Sequence, residues 1–377
     1  MKAKSIKGKT TGEIKDALDK GMADGFRPTA AIIFLGNDNE QEAITKLFTE
    51  RRIQVFGAST GDNFLDGEIE SGSTIILLLD IKTGYFQIVI KGTADGSIKE
   101  IAEQIGRSAL TKFKKPAFLV VSGGLTVDGD EIIEGIESAC GKGTTIFGGL
   151  AADFLTMERT YVFTNDKLSD SGLLALILDE EKISLSGMAV GGWKPMGMDR
   201  VITKSKGNVV YTIDNEPALD FISRYGGIKD LDTNNALNFL ISSNFQLQLK
   251  RENKHSVMRT PMQANPEDRS IVFAGSLPEG SKVRLCLLPG FEVVGEALNS
   301  FNQYKNEQPE VDALIMFSCA GRQLSLGPYV SEEIDGIKNI WNAPMAGFFC
   351  YGEIGRVVTG FHEFHNMTCS LAMLKEK

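Results

Sequence analysis

The chain has 377 residues, of which 40 are lysine or arginine and 49 are aspartate or glutamate, giving a net charge of −9. This acidic balance argues against a nucleic-acid or anionic-membrane surface. No apolar run approaches the roughly 20 residues that a membrane helix needs. Residues 1–10 are basic but lead into no apolar segment, so they predict a frayed arm and no signal peptide. Five cysteines whose odd number and wide spacing favour reduced thiols lead us to expect a cytoplasmic protein.

One supersecondary unit is predicted three times along the chain. In each copy an apolar strand ends at Gly or Ser, a helix-length segment follows, and a second short strand ends in a Gly-rich turn that holds an acidic residue. Ligands of open α/β sheets bind where strands end in such turns. The strands and turns are residues 31–36 and 55–62 in the first copy, 117–123 and 146–153 in the second, and 313–318 and 345–353 in the third.

Amphipathic periodicity predicts helices at residues 12–22, 40–52, 98–113, 130–140, 291–305 and 331–341. Two pairs of strands, 73–80 with 85–91 and 172–178 with 183–190, are predicted as hairpins within their copies. The most polar stretch, residues 250–269, is expected to be irregular between strands near Phe239 and Ile271.

The units alternate strand and helix, yet each carries an added hairpin. We therefore predict an α/β fold of the mixed α+β kind, in which repeated strand-helix-strand-hairpin units form mixed sheets covered by helices. Two domains are expected. The divisions are an N-terminal arm and helix at 1–26, a domain with two similar units at 27–220, and a domain with the third unit at 221–377.

The cysteines and histidines give no metal motif. Five widely spaced cysteines, an odd number, favour buried reduced thiols over a disulfide framework or a zinc site. His362-Glu363-Phe364-His365 has the wrong spacing for a two-histidine zinc motif, which needs two residues between Glu and the second His. We expect no bound metal. The cysteines are Cys140, Cys286, Cys319, Cys350 and Cys369.

Gly57-Ala58-Ser59-Thr60-Gly61 matches the Gly-x-Ser-x-Gly pattern of a hydrolase nucleophile elbow. That elbow needs a strand before the serine and a helix after it, and residues 62–67 do not have a helical pattern. When the first two copies are aligned, the glycines and acids of the turns coincide, whereas Ser59 falls opposite Leu150. A serine hydrolase therefore remains only an alternative, and we expect no enzyme.

The strongest candidate site lies at the end of the third apolar strand and in the turn after its partner. Arg322 has a forked donor set that suits a carboxylate or phosphate, or alternatively forms a structural salt bridge with Glu353 or Glu332. The turn at 347–353 combines aromatic side chains, flexible backbone and an acid, as small-ligand pockets do, although its aromatic residues could equally belong to the core. The candidate ligand-binding residues are Ser318, Cys319, Arg322, Gly347, Phe348, Tyr351, Glu353, His365 and Asn366.

From about Arg27 to its C-terminus the chain resembles the FIST family, whose members carry paired FIST N-terminal and C-terminal domains. The segments that carry the resemblance are Val55-Phe56-Gly57-Ala58-Ser59-Thr60-Gly61, Gly148-Gly149-Leu150-Ala151-Ala152-Asp153, Gly192-Trp193-Lys194-Pro195-Met196-Gly197, Glu216-Pro217-Ala218-Leu219, Phe317-Ser318-Cys319-Ala320-Gly321-Arg322, Tyr351-Gly352-Glu353-Ile354 and His365-Asn366-Met367-Thr368. The resemblance implies a sensory module for small ligands such as amino acids. Some FIST proteins bind haem and sense nitric oxide with a partner histidine kinase.

The leading hypothesis is a stand-alone sensor of an amino acid or a similar small anionic metabolite. Arg322 would hold an anionic group, Phe348 and Tyr351 would form apolar walls, and Glu353 or Asn366 would bind a donor such as an amine. A signal would pass to a separate partner such as a histidine kinase. The alternative is a haem-binding nitric-oxide sensor, with His365, His362, His255 or a cysteine as axial ligand. The sequence does not determine the oligomeric state.

Overall fold

The computed structural model describes residues 1–36, 40–125, 127–226, 246–252, 255–287, 290–357 and 360–377. It contains the three repeat units that the sequence predicts, and each is longer than its predicted copy. The first unit spans residues 2–80. Its elements are β1 (Lys2–Gly8), α1 (Thr11–Met22), β2 (Ala30–Leu35), α2 (Gln41–Glu50), β3 (Gln54–Ser59), β4 (Asn63–Leu65), β5 (Glu68–Glu70) and β6 (Thr74–Asp80).

The second unit repeats this order between residues 86 and 179. Its first helix begins with a capping box, in which Ser97 and Glu100 each accept a hydrogen bond from the other's backbone amide. The elements are β7 (Phe86–Gly92), α3 (Ile98–Lys112), β8 (Pro116–Ser122), α4 (Gly129–Cys140), β9 (Ile146–Leu150), β10 (Val162–Phe163), β11 (Leu168–Ser169) and β12 (Gly172–Asp179).

The third unit begins with β13 (Ile183–Val190) and is then interrupted by an inserted segment, residues 195–286. The insert contains β14 (Pro195–Lys206), β15 (Val209–Ile213), β16 (Glu216–Pro217), α5 (Ala218–Gly226), β17 (Gln246–Leu249), β18 (Val257–Arg259), β19 (Pro261–Ala264), β20 (Ile271–Phe273) and β21 (Lys282–Cys286). The unit resumes with α6 (Glu292–Tyr304), β22 (Ala313–Cys319), α7 (Ala320–Leu326), α8 (Val330–Trp341), β23 (Met345–Cys350), β24 (Glu353–Arg356), β25 (His362–His365) and β26 (Cys369–Glu376).

Each unit builds one mixed sheet around a parallel pair of strands, β2 with β3, β8 with β9, or β22 with β23. These strands are buried along their whole length apart from Gln54 at the start of β3, which explains their continuous apolar sequences. The sheet orders are β1-β6-β2-β3-β10-β11, β7-β12-β8-β9-β24-β25 and β13-β26-β22-β23-β4-β5, here called sheets 1, 2 and 3.

The last two strands of every sheet come from a different unit. The hairpin β4–β5 of the first unit completes sheet 3, β10–β11 of the second completes sheet 1, and β24–β25 of the third completes sheet 2. This cyclic exchange joins the three units, and one hydrophobic core runs through all of them. The insert folds its own sheet around a separate core.

The predicted mixed α/β class with repeated units is confirmed, but four local predictions are wrong. Residues 2–8 are strand β1, paired antiparallel with β6, and not a frayed arm. The pairs β6 with β7 and β12 with β13 are not hairpins, since each connection carries the chain from one sheet to the next. The stretch 250–269 includes β18 and β19. The strand expected near Phe239 lies outside the described residues. In the described part of the chain, no helix has the length and apolar character needed to cross a bilayer.

Candidate functional site

The Gly-rich turns of the three units meet and are joined by backbone hydrogen bonds. The Ala152 amide donates to the Ser59 carbonyl at 3.2 Å, which links the second unit to the first. The Leu150 amide donates to the Gly352 carbonyl at 2.9 Å and links the second unit to the third. The turns that the sequence singles out therefore lie at the contact between the units.

A cavity of about 140 Å³ opens at this junction, between the ends of β22 and β23, the loop after β9 and the insert. An engineered apolar cavity of about 150 Å³ takes up benzene, so the space suits a molecule with few non-hydrogen atoms. The lining is mostly apolar, with five uncharged polar side chains. The described lining residues are Leu155, Met157, Gln246, Thr260, Met262, Cys319, Ala320, Gly321, Leu324, Ser325, Cys350, Tyr351 and Asn366.

Two acceptor atoms of the insert lack partners at this cavity. Gln246 is only 5% exposed, and neither its Oε1 nor the buried Oγ1 of Thr260 has a hydrogen-bond partner among the described residues. Such groups are rare in native proteins because leaving them unpaired costs about 1–3 kcal/mol each. Both residues line the cavity. A ligand that carries N–H or O–H groups would satisfy them.

Asn366 connects the insert to the third unit at the same cavity. Its Nδ2 donates to the His365 carbonyl at 2.9 Å, and its Oδ1 accepts from the Thr260 amide at 3.4 Å. An Nδ2 group has two hydrogens, so one donor of the Asn366 amide is left for a ligand. The cavity therefore presents both donors and acceptors but no charged side chain among its described lining residues.

Asp153 shapes one wall of the cavity. Its carboxylate accepts hydrogen bonds from the Tyr351 hydroxyl and from the amides of Met157 and Glu158. Burial alone would raise the pKa of Asp153, but these hydrogen bonds, first that of Tyr351, hold it below its ordinary value. The bonded loop places Leu155 and Met157 on the cavity, both with a positive φ that side chains rarely adopt.

Arg322 is a buried structural residue and does not line the cavity. Its guanidinium is fully buried and forms a two-bond ion pair with Glu333, which is also fully buried. The remaining donors reach the carbonyls of Gly191 at 2.9 Å and Met367 at 3.3 Å, and the group lies 5.3 Å from the Trp193 ring.

The ligand-binding role expected for Arg322 therefore has to be revised. Its alternative role, an internal salt bridge, is the one that the structure supports, with Glu333 as the partner instead of Glu353 or Glu332. Nearly all of its donors are engaged within the protein, so the guanidinium is not available to an anionic ligand.

The other candidate residues divide into those on the cavity and those beneath it. Cys319, Tyr351 and Asn366 line the cavity, as the sequence suggested. Phe348 instead packs against Phe34 and Phe317 in the core, so it forms no wall of the site. The residues that lie outside the described lining are Ser318, Arg322, Gly347, Phe348, Glu353 and His365.

Glu353 lies below the cavity and is fully buried. Its Oε2 accepts from the amide and the hydroxyl of Thr368, and its Oε1 accepts from the Cys350 thiol at 3.4 Å. Burial raises the pKa of this carboxyl to about 8, although the hydrogen bonds from Thr368 act in the opposite direction. Glu353 therefore touches a lining residue without facing the space itself.

Two protein-family models match most of the chain. The family model described as the FIST N domain matches residues 23–216, and the model described as the FIST C domain matches residues 218–356. The chain belongs to the FIST family. FIST domains are generally sensory domains that bind small ligands in signal transduction. A comparison with curated proteins gives no match.

The boundary between the two family models does not coincide with a boundary between repeat units. The FIST N match ends at residue 216, inside the insert, while β13 of the third unit lies before that point. The FIST C match begins within the insert, at residue 218. The cavity therefore takes residues from both matched segments, with Leu155 and Met157 from the first and the remaining lining residues up to Tyr351 from the second.

The cavity lined by the described residues is too small to enclose a porphyrin, because its volume is close to that of a cavity that takes up benzene. His365 is buried, and its Nε2 is 3.3 Å from the Gly355 carbonyl. Burial lowers the pKa of His365 to about 3 and that of His362 to about 4, so both imidazoles are neutral. Neither of them, nor the exposed His255, is among the described lining residues.

Ser59 also lies away from the cavity. It is 2% exposed, its hydroxyl donates to the Ala152 carbonyl at 3.1 Å, and it accepts from the Tyr161 amide at 3.0 Å. The residue after β3 leads into β4 and not into a helix. The geometry is that of a turn residue that joins two units, and it lacks the exposed position of a nucleophile elbow.

Sequence reasoning missed the contribution of the insert. Gln246, Thr260 and Met262 come from a segment whose pattern gave no sign of a site, and Thr260 lies in the stretch expected to be irregular. A local signal was present only for Asp153, which the sequence places in a Gly-rich turn and which fixes the loop that carries Leu155 and Met157.

Proposed function

We propose that this FIST protein senses a small molecule without net charge, of about amino-acid size, in the cavity between the insert and the third unit. The observation that carries the proposal is the buried, unpartnered Oε1 of Gln246 on the cavity wall. The ligand would donate an N–H or O–H group to this atom and to the Thr260 hydroxyl, and it would accept from the free donor of Asn366.

The charge of the ligand is inferred from the lining. An isolated carboxylate pays a large desolvation cost in an apolar site unless a cation or several donors compensate for it. Arg322 is committed to Glu333, and no described lining residue carries a charge. Neutral amides and amino-acid derivatives therefore agree better with the site than anionic metabolites, while free amino acids fit by size.

We propose that the protein acts in the cytoplasm and passes its signal to a second protein there. FIST domains serve in signal transduction, and the resemblance favours a histidine kinase as the receiving partner. The proposal is one of binding, and it assigns no reaction to the chain.

A thermal-shift screen of the full chain tests the proposal. The panel contains neutral amides, amino-acid derivatives, free amino acids and small carboxylates. A ligand present at about 100 times its dissociation constant adds about 2.7 kcal/mol to the free energy of unfolding. We expect stabilisation by neutral compounds with N–H groups and little by carboxylates.

Two matched variants assign the effect to the cavity. Gln246→Leu removes the unpartnered acceptor, whereas Gln248→Leu changes the same residue type two positions along β17, outside the described lining. Affinity should fall at least about tenfold in Gln246→Leu, which corresponds to about 1.4 kcal/mol, and stay unchanged in Gln248→Leu. A flat screen, or equal affinity in both variants, would overturn the proposal.

A further inference from the structure

The wall of the cavity is rich in sulfur, and its two cysteines are more deeply buried than its two methionines. Four of its described lining residues, Met157, Met262, Cys319 and Cys350, carry a sulfur atom. A fifth sulfur, Sδ of Met367, is 3.9 Å from the Sγ of Cys319. The organic ligand proposed above would be held by the oxygen atoms of Gln246 and Thr260 and by the amide nitrogen of Asn366, and that proposal gives these sulfur atoms no function.

Cys319 and Cys350 are adjacent across the parallel strands of sheet 3. They are register partners at the ends of β22 and β23. Neighbouring strands lie about 4.8 Å apart, and register partners project from the same face of a sheet. Neither cysteine forms a disulfide, both are buried, and both line the same cavity. The Cys350 thiol donates to Glu353 Oε1 at 3.4 Å. Two soft donors are therefore held side by side on the cavity wall.

We propose that Cys319 and Cys350 bind a soft monovalent cation, Cu(I), with the thioether of Met367 as a third donor. Thiolate and thioether ligands select Cu(I) over the hard cations that prefer oxygen. Each thiol releases its proton to solvent as its sulfur–copper bond forms. Copper stays in the +1 oxidation state, so no oxidant or reductant is consumed.

The same geometry disfavours other metals. Zinc takes four nitrogen, sulfur or oxygen ligands in a tetrahedral arrangement. Among the described residues, no three His, Cys, Asp or Glu side chains converge in an arrangement that could hold a metal. Cu(I) is satisfied by two or three sulfur ligands, and the cavity gives it a path to them. The donor set thus distinguishes Cu(I) from zinc, calcium and magnesium.

Copper binding does not rest on the proposed small-molecule function, although both use one cavity. The organic ligand depends on Gln246 and Thr260 of the insert, while copper depends on the two thiols of the third unit. Gln246→Leu should therefore leave copper binding intact. Failure of one proposal does not imply failure of the other.

The test is a competition for Cu(I) with bicinchoninate, a coloured Cu(I) chelator, under anaerobic conditions with ascorbate present. The chain should remove about one equivalent of Cu(I) from the chelator. Cys319→Ala and Cys350→Ala should each weaken binding by about tenfold or more, since each removes a thiolate ligand. Zinc and magnesium chlorides should not compete.

Cys369→Ala is the matched control. Cys369 is a buried thiol of the same sheet, but it is the register partner of Ser318 and so faces away from Cys319. Its replacement should not change copper affinity. Equal affinity of the Cys319→Ala, Cys350→Ala and Cys369→Ala variants, or no uptake by the unaltered chain, would overturn the proposal.

X-ray absorption at the copper edge gives a readout that needs no substitution. The copper-loaded chain should show two or three sulfur neighbours and no nitrogen or oxygen neighbours. A first shell of nitrogen or oxygen atoms would refute the assignment even if an alanine variant failed to fold.

Discussion

Arg322 and Glu333 form an ion pair in which both side chains are completely buried. The pair joins α7 to α8, and the same guanidinium holds the backbone carbonyls of Gly191 and Met367. The ion pair therefore connects the turn between β25 and β26 to the loop between β13 and the insert. The sequence context of Arg322 suggests ligand recognition, but its side chain instead stabilises the protein outside the cavity lining.

Removing one partner of this pair should lower the free energy of unfolding far more than removing both. Arg322→Met leaves the Glu333 carboxylate buried without its counter-ion, which typically costs about 3–5 kcal/mol of unfolding free energy. Replacing Arg322 by Met and Glu333 by Leu together should recover a large part of that loss. Urea denaturation of the single and double variants measures the difference.

Arg107→Met provides the control for this comparison. Arg107 pairs with Glu103 on the exposed face of α3, where ion pairs contribute about 0–1 kcal/mol. If Arg322→Met were no more destabilising than Arg107→Met, the buried ion pair would not have the importance assigned to it.

Asp153→Ala should loosen the loop at residues 154–159. The substitution removes the acceptor for the Tyr351 hydroxyl and for several loop amides, including those of Met157 and Glu158. The Tyr351 and Met157 donors are partly buried, and a fully buried donor left unpaired costs about 1–3 kcal/mol, so the loss should lie toward the lower end of that range for each. We expect a lower melting temperature together with faster proteolytic cleavage within 154–159.

Asp166→Ala is a suitable comparison, because Asp166 accepts from the Thr164 hydroxyl in a different loop of the same unit. The role of Asp153 in shaping the cavity wall would be contradicted if the two variants showed the same cleavage rate within 154–159.

The sequence predicts the centre of each sheet well and its edges poorly. Strands such as β22 are buried on both faces, so a continuous apolar run followed by a helical period identifies the parallel pair. The pairing partner of a short strand is not marked by such a pattern. β10 has two residues, and it pairs with β3 of another unit, a strand about 100 positions earlier in the chain.

The candidate site shows the same limit. The Gly-rich turns are visible in the sequence because glycine is required where strands approach closely, as at Gly148, whose φ is +154°. The cavity also needs Gln246 and Thr260, which lie on short strands of the insert and show no periodicity of their own. Arg322 looked like a binding residue because its partner Glu333, one helix away, is not marked by any motif.

Thr260→Val should stabilise the free protein and weaken ligand binding. The Thr260 Oγ1 is buried without a hydrogen-bond partner among the described residues, so an isosteric methyl group removes an unpaired polar atom at a gain of up to about 1 kcal/mol. The same change deletes an atom proposed to contact the ligand. Melting curves with and without the ligand found in the screen measure both effects.

Thr160→Val gives the opposite expectation for stability. The Thr160 Oγ1 accepts from the Gly124 amide at 2.9 Å, so its loss leaves a donor unpaired and should lower the melting temperature. Destabilisation of both variants would show that the Thr260 hydroxyl has a partner in the free protein.

Glu353 should make the protein less stable as the pH rises toward 8. Burial raises its pKa from an ordinary 4.5 to about 8 in the folded state. The folded chain therefore binds the Glu353 proton more tightly than the unfolded chain does, and the stability that this group contributes is complete below about pH 4.5 and is lost as the pH rises to about 8. The buried histidines act in the other direction.

Burial lowers the pKa of His365 from 6.5 to about 3 and that of His362 to about 4. Their contribution is complete above about pH 6.5 and is lost as the pH falls below that value. Between pH 6.5 and 8, of these three groups, only Glu353 therefore changes the free energy of unfolding. One pKa unit corresponds to about 1.4 kcal/mol, so this interval should cost about 2 kcal/mol at most.

Glu353→Gln keeps the shape of the side chain and removes the proton equilibrium. The decline in melting temperature between pH 6.5 and 8 should become smaller in Glu353→Gln, while the exposed substitution Glu181→Gln should retain the slope of the unaltered protein. An unchanged slope in Glu353→Gln would mean that the Thr368 hydrogen bonds outweigh burial and keep the carboxylate ionised. Because Glu353 contacts the Cys350 thiol, a reduced slope would also show that the carboxyl beside this thiol is protonated in the folded protein near neutral pH.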